Sequence, residues 1–416
     1  MKLYYGWRVV AALFVMLMCS SGLGFYNQSV LLEALTQERG FTVAQVSLAT
    51  TLFFGVSSLT GLLVASLLQR FDARWTIAVG TMIAALALAL IGRAQGLLQV
   101  YAVFALFGIG FSGSSMIGAT TLVTRWFEAR RGAALAVTTT GLSVGGIVLT
   151  PLSARWIGEL GLERGGLRVA ALYLLGVLPF VLLLVRDRPS DLGLEPDGRA
   201  PGAVPVDDSV PFADAVGSRF FRCLVMAYLL AMLAQVGGIA HQFKLVGDAA
   251  DAALAARCVS ALAGGSIVGR LVSGWLAGRV GVRWLSIFLL SDQGAALTLL
   301  GQAESPAALV AASVLFGLTV GSVLLMQPLL MAAGFGVRDY PRIFSVGSLI
   351  SGVGVSFGAL LIGVLHDSFG GYGTAFAVAG SLSFASAVVL LSAGSVAGPR
   401  RKLAEASDRS PSHTAQ

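Results

Sequence analysis

Twelve stretches of roughly 20 or more apolar residues, parted by short polar turns, run through this 416-residue chain and leave it few possible folds. They lie near residues 8 to 32, 45 to 68, 75 to 95, 98 to 123, 132 to 156 and 166 to 185. Six more follow near 220 to 242, 253 to 278, 284 to 302, 306 to 333, 343 to 365 and 373 to 396. Each is long enough to cross a hydrocarbon layer about 30 Å thick. Lipid offers no water to peptide groups, so a crossing backbone must satisfy its own hydrogen bonds, as helices and closed barrels do. Continuous apolar runs of this length, without a two-residue alternation, select helices. The expected fold class is an all-α membrane protein with twelve transmembrane helices.

Composition agrees: 56% of residues are hydrophobic, 12% are charged, and the mean hydropathy is +0.83. A net charge of +7 in a soluble chain would suggest a nucleic-acid partner, but the arginines here gather in the turns between apolar runs. With both termini placed in the cytoplasm, 20 of the 28 Lys and Arg residues lie inside, seven lie outside or at outer helix ends, and Arg270 alone is deep. That bias follows the positive-inside rule and implies a multi-pass protein of the plasma (inner) membrane, with no nucleic-acid partner. The opening MKLYYGWRVVAALFVMLMCSSGLGF has the basic-then-apolar order of a signal peptide but ends in no small-residue cleavage site, and it is read as a retained first helix. Three scattered cysteines make no disulfide or metal framework. No phosphate-binding loop and no nucleophile with a base appears in the sequence. The expectation is a carrier driven by gradients, with no enzyme activity, cofactor or metal.

Between Arg186 and Ser218 the sequence turns rich in Pro, Gly and Asp. This predicts a six-helix bundle over 1–185, a cytoplasmic central loop over 186–218, a second six-helix bundle over 219–396 and a cytoplasmic tail over 397–416. An internal repeat supports the division. Arg70 and Arg74 follow the second span as Arg279 and Arg283 follow the eighth, at an offset of 209, and Arg130 and Arg338 precede the fifth and eleventh spans at an offset of 208. Two pseudo-symmetric halves made by duplication are expected.

Arg270 lies in SALAGGSIVGRLVSGWLAG, at 260–278, where no other charge occurs. Nine residues at about 1.5 Å each place it roughly 13 Å from Arg279 at the helix end. An arginine at a helix centre costs about 2.5–3.5 kcal/mol on insertion scales, so such a residue marks a pathway or a partner. Ser266 and Ser273, at i−4 and i+3, share its helix face. Two readings compete: Arg270 binds a substrate carboxylate, or it pairs with Asp292, nine residues beyond Arg283 in the ninth span.

The region ASLLQRFDAR at 65–74 stands where the major facilitator superfamily has a G-x-x-x-D-R-x-G-x-R loop, with Gln69 in place of the acid. GWLAGRVGVR at 274–283 keeps both arginines but has Gly278 where an acid is common. Over nearly its whole length the chain resembles that superfamily of secondary transporters. The opening YYGWRVVAALF, the element RWFEARRGAALAV and the arginine of the eighth span are similar to the branch holding monocarboxylate transporters and oxalate-formate antiporters. The resemblance implies the major facilitator fold, a usually monomeric carrier, and a cavity lined by the first, fourth and eighth helices, with the ninth as a support. It also implies a cytoplasmic charge latch, here expected to be weakened in both halves. The eleventh span, RIFSVGSLISG at 342–352, lacks the lysine that oxalate carriers place there. One guanidinium neutralises one carboxylate with bidentate bonds, so a monoanion is expected.

Further candidates follow. Tyr26, Asn27 and Gln28 interrupt the first span, and Ser114, with Ser112 and Ser115, the fourth. Helix packing is the alternative role for the serines and for Gly141, Gly145, Gly352, Gly354 and Gly358. His241, closing the seventh span in AQVGGIAHQFK, is a candidate for substrate binding or proton coupling, because imidazole as a residue type titrates near pH 6.5. Asp292 is a second proton candidate, or a hydrogen-bonded buried group. The expected function is carriage of a small organic anion, foremost a monocarboxylate moved with a proton, which pairs with Arg270 and lets the halves alternate in access. Carboxylate exchange, another major facilitator cargo with export, and a non-transporting membrane sensor are the alternatives.

Overall fold

The computed structural model describes residues 4–41, 43–197 and 209–396. The middle of the central loop and the tail with Arg400, Arg401 and Lys402 lie outside the described residues. Among these residues the chain is helical almost throughout. Helix α1 spans Gly6–Arg39, with a π-helical turn at Ser21–Phe25. It is followed by α2 (Val43–Arg70), α3 (Ala73–Ile91) and α4 (Leu97–Trp126), the last interrupted at Ser114 and Ser115. Arg131–Leu184, 54 residues long, breaks at Gly161 into α5 (131–160) and α6 (162–184). The second six are α7 (Arg219–Ala249), α8 (Ala252–Val280), α9 (Val282–Gln302), α10 (Pro306–Phe335), α11 (Tyr340–Phe369) and α12 (Tyr372–Ser392). Eleven helices among the described residues are long and apolar enough to cross a membrane. Because the longest makes two passes, the crossings number twelve.

Local chemistry sets the ends. Asp251 accepts a hydrogen bond from Leu254 N at 2.6 Å and caps α8, and Ser305 with Pro306 starts α10. At Gly161 the backbone turns to φ 76°, where a side chain would be strained, and Leu162 N donates to both carboxylate oxygens of Glu38 at 2.9 Å. The carboxylate at the end of α1 thus caps α6 across the break, at the favourable pole of the helix.

Contacts divide the chain into two compact units, Met1–Ala203 and Val204–Gln416. In the first, α1 packs on α5, α2 and α3 on α4, and α3 on α6. In the second, α7 packs on α11, α8 and α9 on α10, and α9 on α12. The two lists are one list shifted by six helices. Close approaches repeat as well: a Cβ on Gly108 would lie 2.5 Å from Phe53 O, and one on Gly317, 209 residues later, 2.4 Å from Leu262 O. Small residues bring the backbones of α2 and α4, and of α8 and α10, into direct contact.

The described ends of the central loop are ordered, each on its own unit. After α6, Asp187 forms a close ion pair with Arg125 and accepts from Ala73 N at 3.1 Å, while Trp126 Nε1 donates to Arg186 O at 2.9 Å. Asp197 accepts from Glu128 N and Ala129 N and donates its own N–H to Trp126 O. On the second unit, Val210 N donates to Phe335 O and Phe212 N to Asp339 Oδ2. Between α2 and α3, Asp72 binds Arg74 through both carboxylate oxygens. Burial alone would raise the Asp72 pKa, but the hydrogen bonds and charge of Arg74, helped by Arg125, hold it below the usual range. Arg74 and Arg125 of the first half therefore have carboxylates despite Gln69, supplied by Asp72 and Asp187. The weakening expected of both halves applies differently to each, because Asp187 is distant in sequence and meets Arg125 only through folding.

Candidate substrate site

Arg270 is 2% exposed, in the interior of α8. Its Nε donates to Gly321 O of α10 at 3.3 Å. Ser266 and Ser273 are buried on the same face, and Ser273 Oγ donates to Ser322 Oγ at 2.8 Å. The polar face read from the sequence exists, and it lies against α10. Room for the arginine comes from Gly321, where a Cβ would stand 2.0 Å from Ser266 O and 3.2 Å from Arg270 Cβ. A permanently charged, planar donor set is thus held in the membrane-spanning part of α8 by a close backbone contact.

Asp292 lies in α9 and is partly buried, and no ion pair joins it to Arg270. His241, on α7, is engaged elsewhere: Nε2 is 3.0 Å from Ala359 O of α11 and Nδ1 is 3.1 Å from Tyr372 Oη of α12. A carbonyl only accepts, so Nε2 carries the proton in the neutral ring and Nδ1 accepts from the tyrosine. A proton added at Nδ1 would turn the tyrosine from donor to acceptor. No described hydrogen bond or ion pair links His241 to Arg270.

In the first unit the candidates of α1 sit just past the π-helical turn. Asn27 is fully buried and its Oδ1 accepts from Ser153 Oγ of α5 at 2.7 Å, while its Nδ2 has no partner. Gln28 Nε2 donates to Gly24 O at 3.2 Å, and its Oε1 accepts from Thr50 of α2 at 3.4 Å. Tyr26 is 43% exposed and packs edge-on against Phe25. Ser114, at the break in α4, shares a 2.7 Å hydrogen bond with Tyr173 Oη of α6 and is fully buried. The structure therefore joins Asn27 to Ser153, Gln28 to Thr50 and Ser114 to Tyr173, in three separate contacts.

Sequence reasoning missed Gly321, Ser322, Tyr372, Ser153 and Thr50. One signal pointed to the α10 wall: Phe107-Gly108 recurs as Phe316-Gly317 at the offset of 209, which maps Ser112 onto Gly321 and Gly61 onto Arg270. Nothing local marked Tyr372, which reaches His241 across 131 residues.

The model of one family, the Major Facilitator Superfamily, matches residues 13–246. The chain belongs to this superfamily. It is accordingly a secondary transporter, a multi-pass integral membrane protein with the fold described above. Monocarboxylate transporter 13 of Bos taurus is 27% identical over 84% of this chain and 80% of its own length. MFS transporter asaE of Aspergillus flavus is 28% identical over 65% of this chain, and the match spans only 60% of that relative. Among solved structures, the E. coli fucose:proton symporter FucP superposes with a TM-score of 0.72 over 94% of this chain and all of that one, at 14% identity, a likeness of fold. Members of this superfamily transport small molecules, and the branch resemblance read from the motifs has a monocarboxylate transporter among its relatives.

Proposed function

We propose that this superfamily member carries a small monocarboxylate together with a proton, and that Arg270 binds the carboxylate. The observation that carries the reading is a guanidinium, 2% exposed, within the membrane-spanning part of α8. Charge-assisted, bidentate binding of a carboxylate is what an arginine does best, and a low-dielectric surround strengthens it. Ser266 and Ser273 give the same face hydroxyl groups to orient the anion. In the first unit, taken by itself, Tyr26, Asn27, Gln28 and Ser114 are the proposed polar ligand contacts, and Asn27, Gln28 and Ser114 would have to exchange their bonds to Ser153, Thr50 and Tyr173 to serve. The unpartnered Nδ2 of Asn27 is the donor among them in need of an acceptor. His241 and Asp292 are the candidates to take up the proton. His241 has the better placement for a relay, since protonation reverses its hydrogen bond with Tyr372. The carrier works as a monomer in the plasma (inner) membrane with both termini cytoplasmic.

Proteoliposomes offered a panel of labelled carboxylates, with and without an inward proton gradient, test the proposal. Uptake of a monocarboxylate accelerated by external acid, and abolished by Arg270→Ala, is the expected result. Uptake that requires a carboxylate inside and ignores the gradient identifies an exchanger, and binding without flux a sensor. Uptake untouched at Arg270→Ala removes the arginine from the site.

A further inference from the structure

The turns that end α2 and α8 are equivalent in the repeat, yet their arginines are treated differently. In the first turn Arg74 is consumed by Asp72. In the second, the position matching Asp72 is Gly281, whose φ of 85° disfavours any side chain. Among the described residues no carboxylate pairs with Arg279 or Arg283. Arg283 donates to Leu391 O at 2.7 Å, at the end of α12, and its Nε is buried without a partner. Arg279 is stacked on Trp275, its Cζ 3.7 Å from the ring centroid. The serine matching Trp275 in the first half, Ser66, instead bonds to Leu62 O.

The surroundings say what faces these charges. Trp275, Trp284 and Phe288 are 54%, 59% and 63% exposed, next to the ends of two membrane-spanning helices. Exposed tryptophans at helix ends mark the depth of the lipid headgroups, and arginines there attract anionic lipid. An indole beneath Arg279 holds the guanidinium in a fixed pose without neutralising it, which leaves its N–H edge for phosphate.

We infer that the turn between α8 and α9 is a binding site for an anionic phospholipid, whose phosphate is held by Arg279 and Arg283 and whose acyl chains lie along Trp275, Trp284 and Phe288. The equivalent turn of the first half lacks such a site because Asp72 occupies Arg74. This inference is independent of the transported substrate.

The test is native mass spectrometry of the purified full chain in mixed micelles of phosphatidylglycerol and phosphatidylcholine. The unmodified protein is expected to retain phosphatidylglycerol over phosphatidylcholine by about 30-fold, as two arginines near a charged lipid provide. The double substitution Arg279→Ala with Arg283→Ala should remove most of that preference, and Arg70→Ala with Arg74→Ala should leave it. Trp275→Leu keeps both charges, serves as the milder variant, and should lower the preference in part. Asp72→Asn frees Arg74 and should add bound phosphatidylglycerol. Equal retention of the two lipids overturns the inference, as does an equal loss from either arginine pair, which is bulk charge, or displacement by free glycerol phosphate, which is an anion site without lipid. No gain at Asp72→Asn overturns the explanation for the asymmetry.

Discussion

Where α2 meets α4, Gly61 faces Ser112; where α8 meets α10, Arg270 faces Gly321. Both pairs occupy the same places in the repeat, and the bulk has changed sides. A Cβ on Gly61 would stand 3.7 Å from Ser112 Oγ, and one on Gly321 3.2 Å from Arg270 Cβ. One contact keeps a small hydroxyl on α4, whereas the other carries a guanidinium on α8 and empties the opposite wall, α10. The same scaffold thus holds a neutral seam in one half and a charged group in the other, at the expense of a glycine. At the ends of these helices the asymmetry reverses: the first half binds Arg74 and Arg125 with Asp72 and Asp187, and among the described residues of the second no carboxylate pairs with Arg279 or Arg283.

Making the halves alike at the buried seam should have the largest effect. Arg270→Gly copies Gly61 into the second half and should lower carboxylate uptake by about 100-fold, and Arg270→Lys by about 10-fold, because an ammonium cannot replace the bidentate fork. Initial uptake rates in proteoliposomes read both. Retained uptake in the glycine variant would show that the difference between the halves is architectural only.

The glycine wall sharpens the same comparison. Gly321→Ala places a methyl 2.0 Å from Ser266 O, so α8 and α10 must separate, at a destabilisation of about 1–3 kcal/mol. Ser112→Ala at the matching position removes a buried hydroxyl that has no hydrogen-bond partner and should change stability by less than about 0.5 kcal/mol. Thermal unfolding in detergent followed by tryptophan fluorescence separates the two. A smaller loss at Gly321 than at Ser112 would refute the exchange of bulk.

At the helix ends, Asp187→Asn strips Arg125 of its ion pair, whose side chains are both 13% exposed, and should lower stability by about 2 kcal/mol. The matching residue of Arg125 in the second half is Gly334, so no equivalent loss exists there. The smallest effect belongs to Asp72. Its carboxyl pKa is lowered in the folded state, so its contribution is fully present above about pH 4 and fades as pH falls through the folded value. Acid unfolding curves of the unmodified chain and Asp72→Asn should differ slightly at neutral pH and converge in acid; a gap that widens in acid contradicts the pairing.

Much of the architecture was legible because membrane solvent is a severe constraint. Long apolar runs, the arginine-rich turns and the pairs at offsets of 208 and 209 specify helices, their number and the duplication. The two passes at 132 to 156 and 166 to 185 were legible too, but the turn between them was not: only the folded chain places it at Gly161, with a left-handed backbone and with Glu38 from α1 capping the helix that follows. Arg270, Ser266 and Ser273 were legible as a face because helical periodicity alone puts i−4, i and i+3 together. Their partner was not: Gly321 is one glycine among 52, and its importance lies in having nothing where α8 must approach. His241 was legible as a titratable group closing the seventh span, but not its partners: folding supplies Tyr372 and Ala359 from two other helices.

What the sequence determined by itself is the set of helices, their pairing into two repeated bundles and the presence of one deep cation, all consequences of short-range periodicity and of a solvent that tolerates no unsatisfied backbone. What only the tertiary structure decided is who meets whom across helices: Arg270 with Gly321, Asn27 with Ser153, Asp187 with Arg125. Such contacts depend on how closely two backbones can approach and on which side chains are small there. No single segment encodes that distance, because it belongs to the pair.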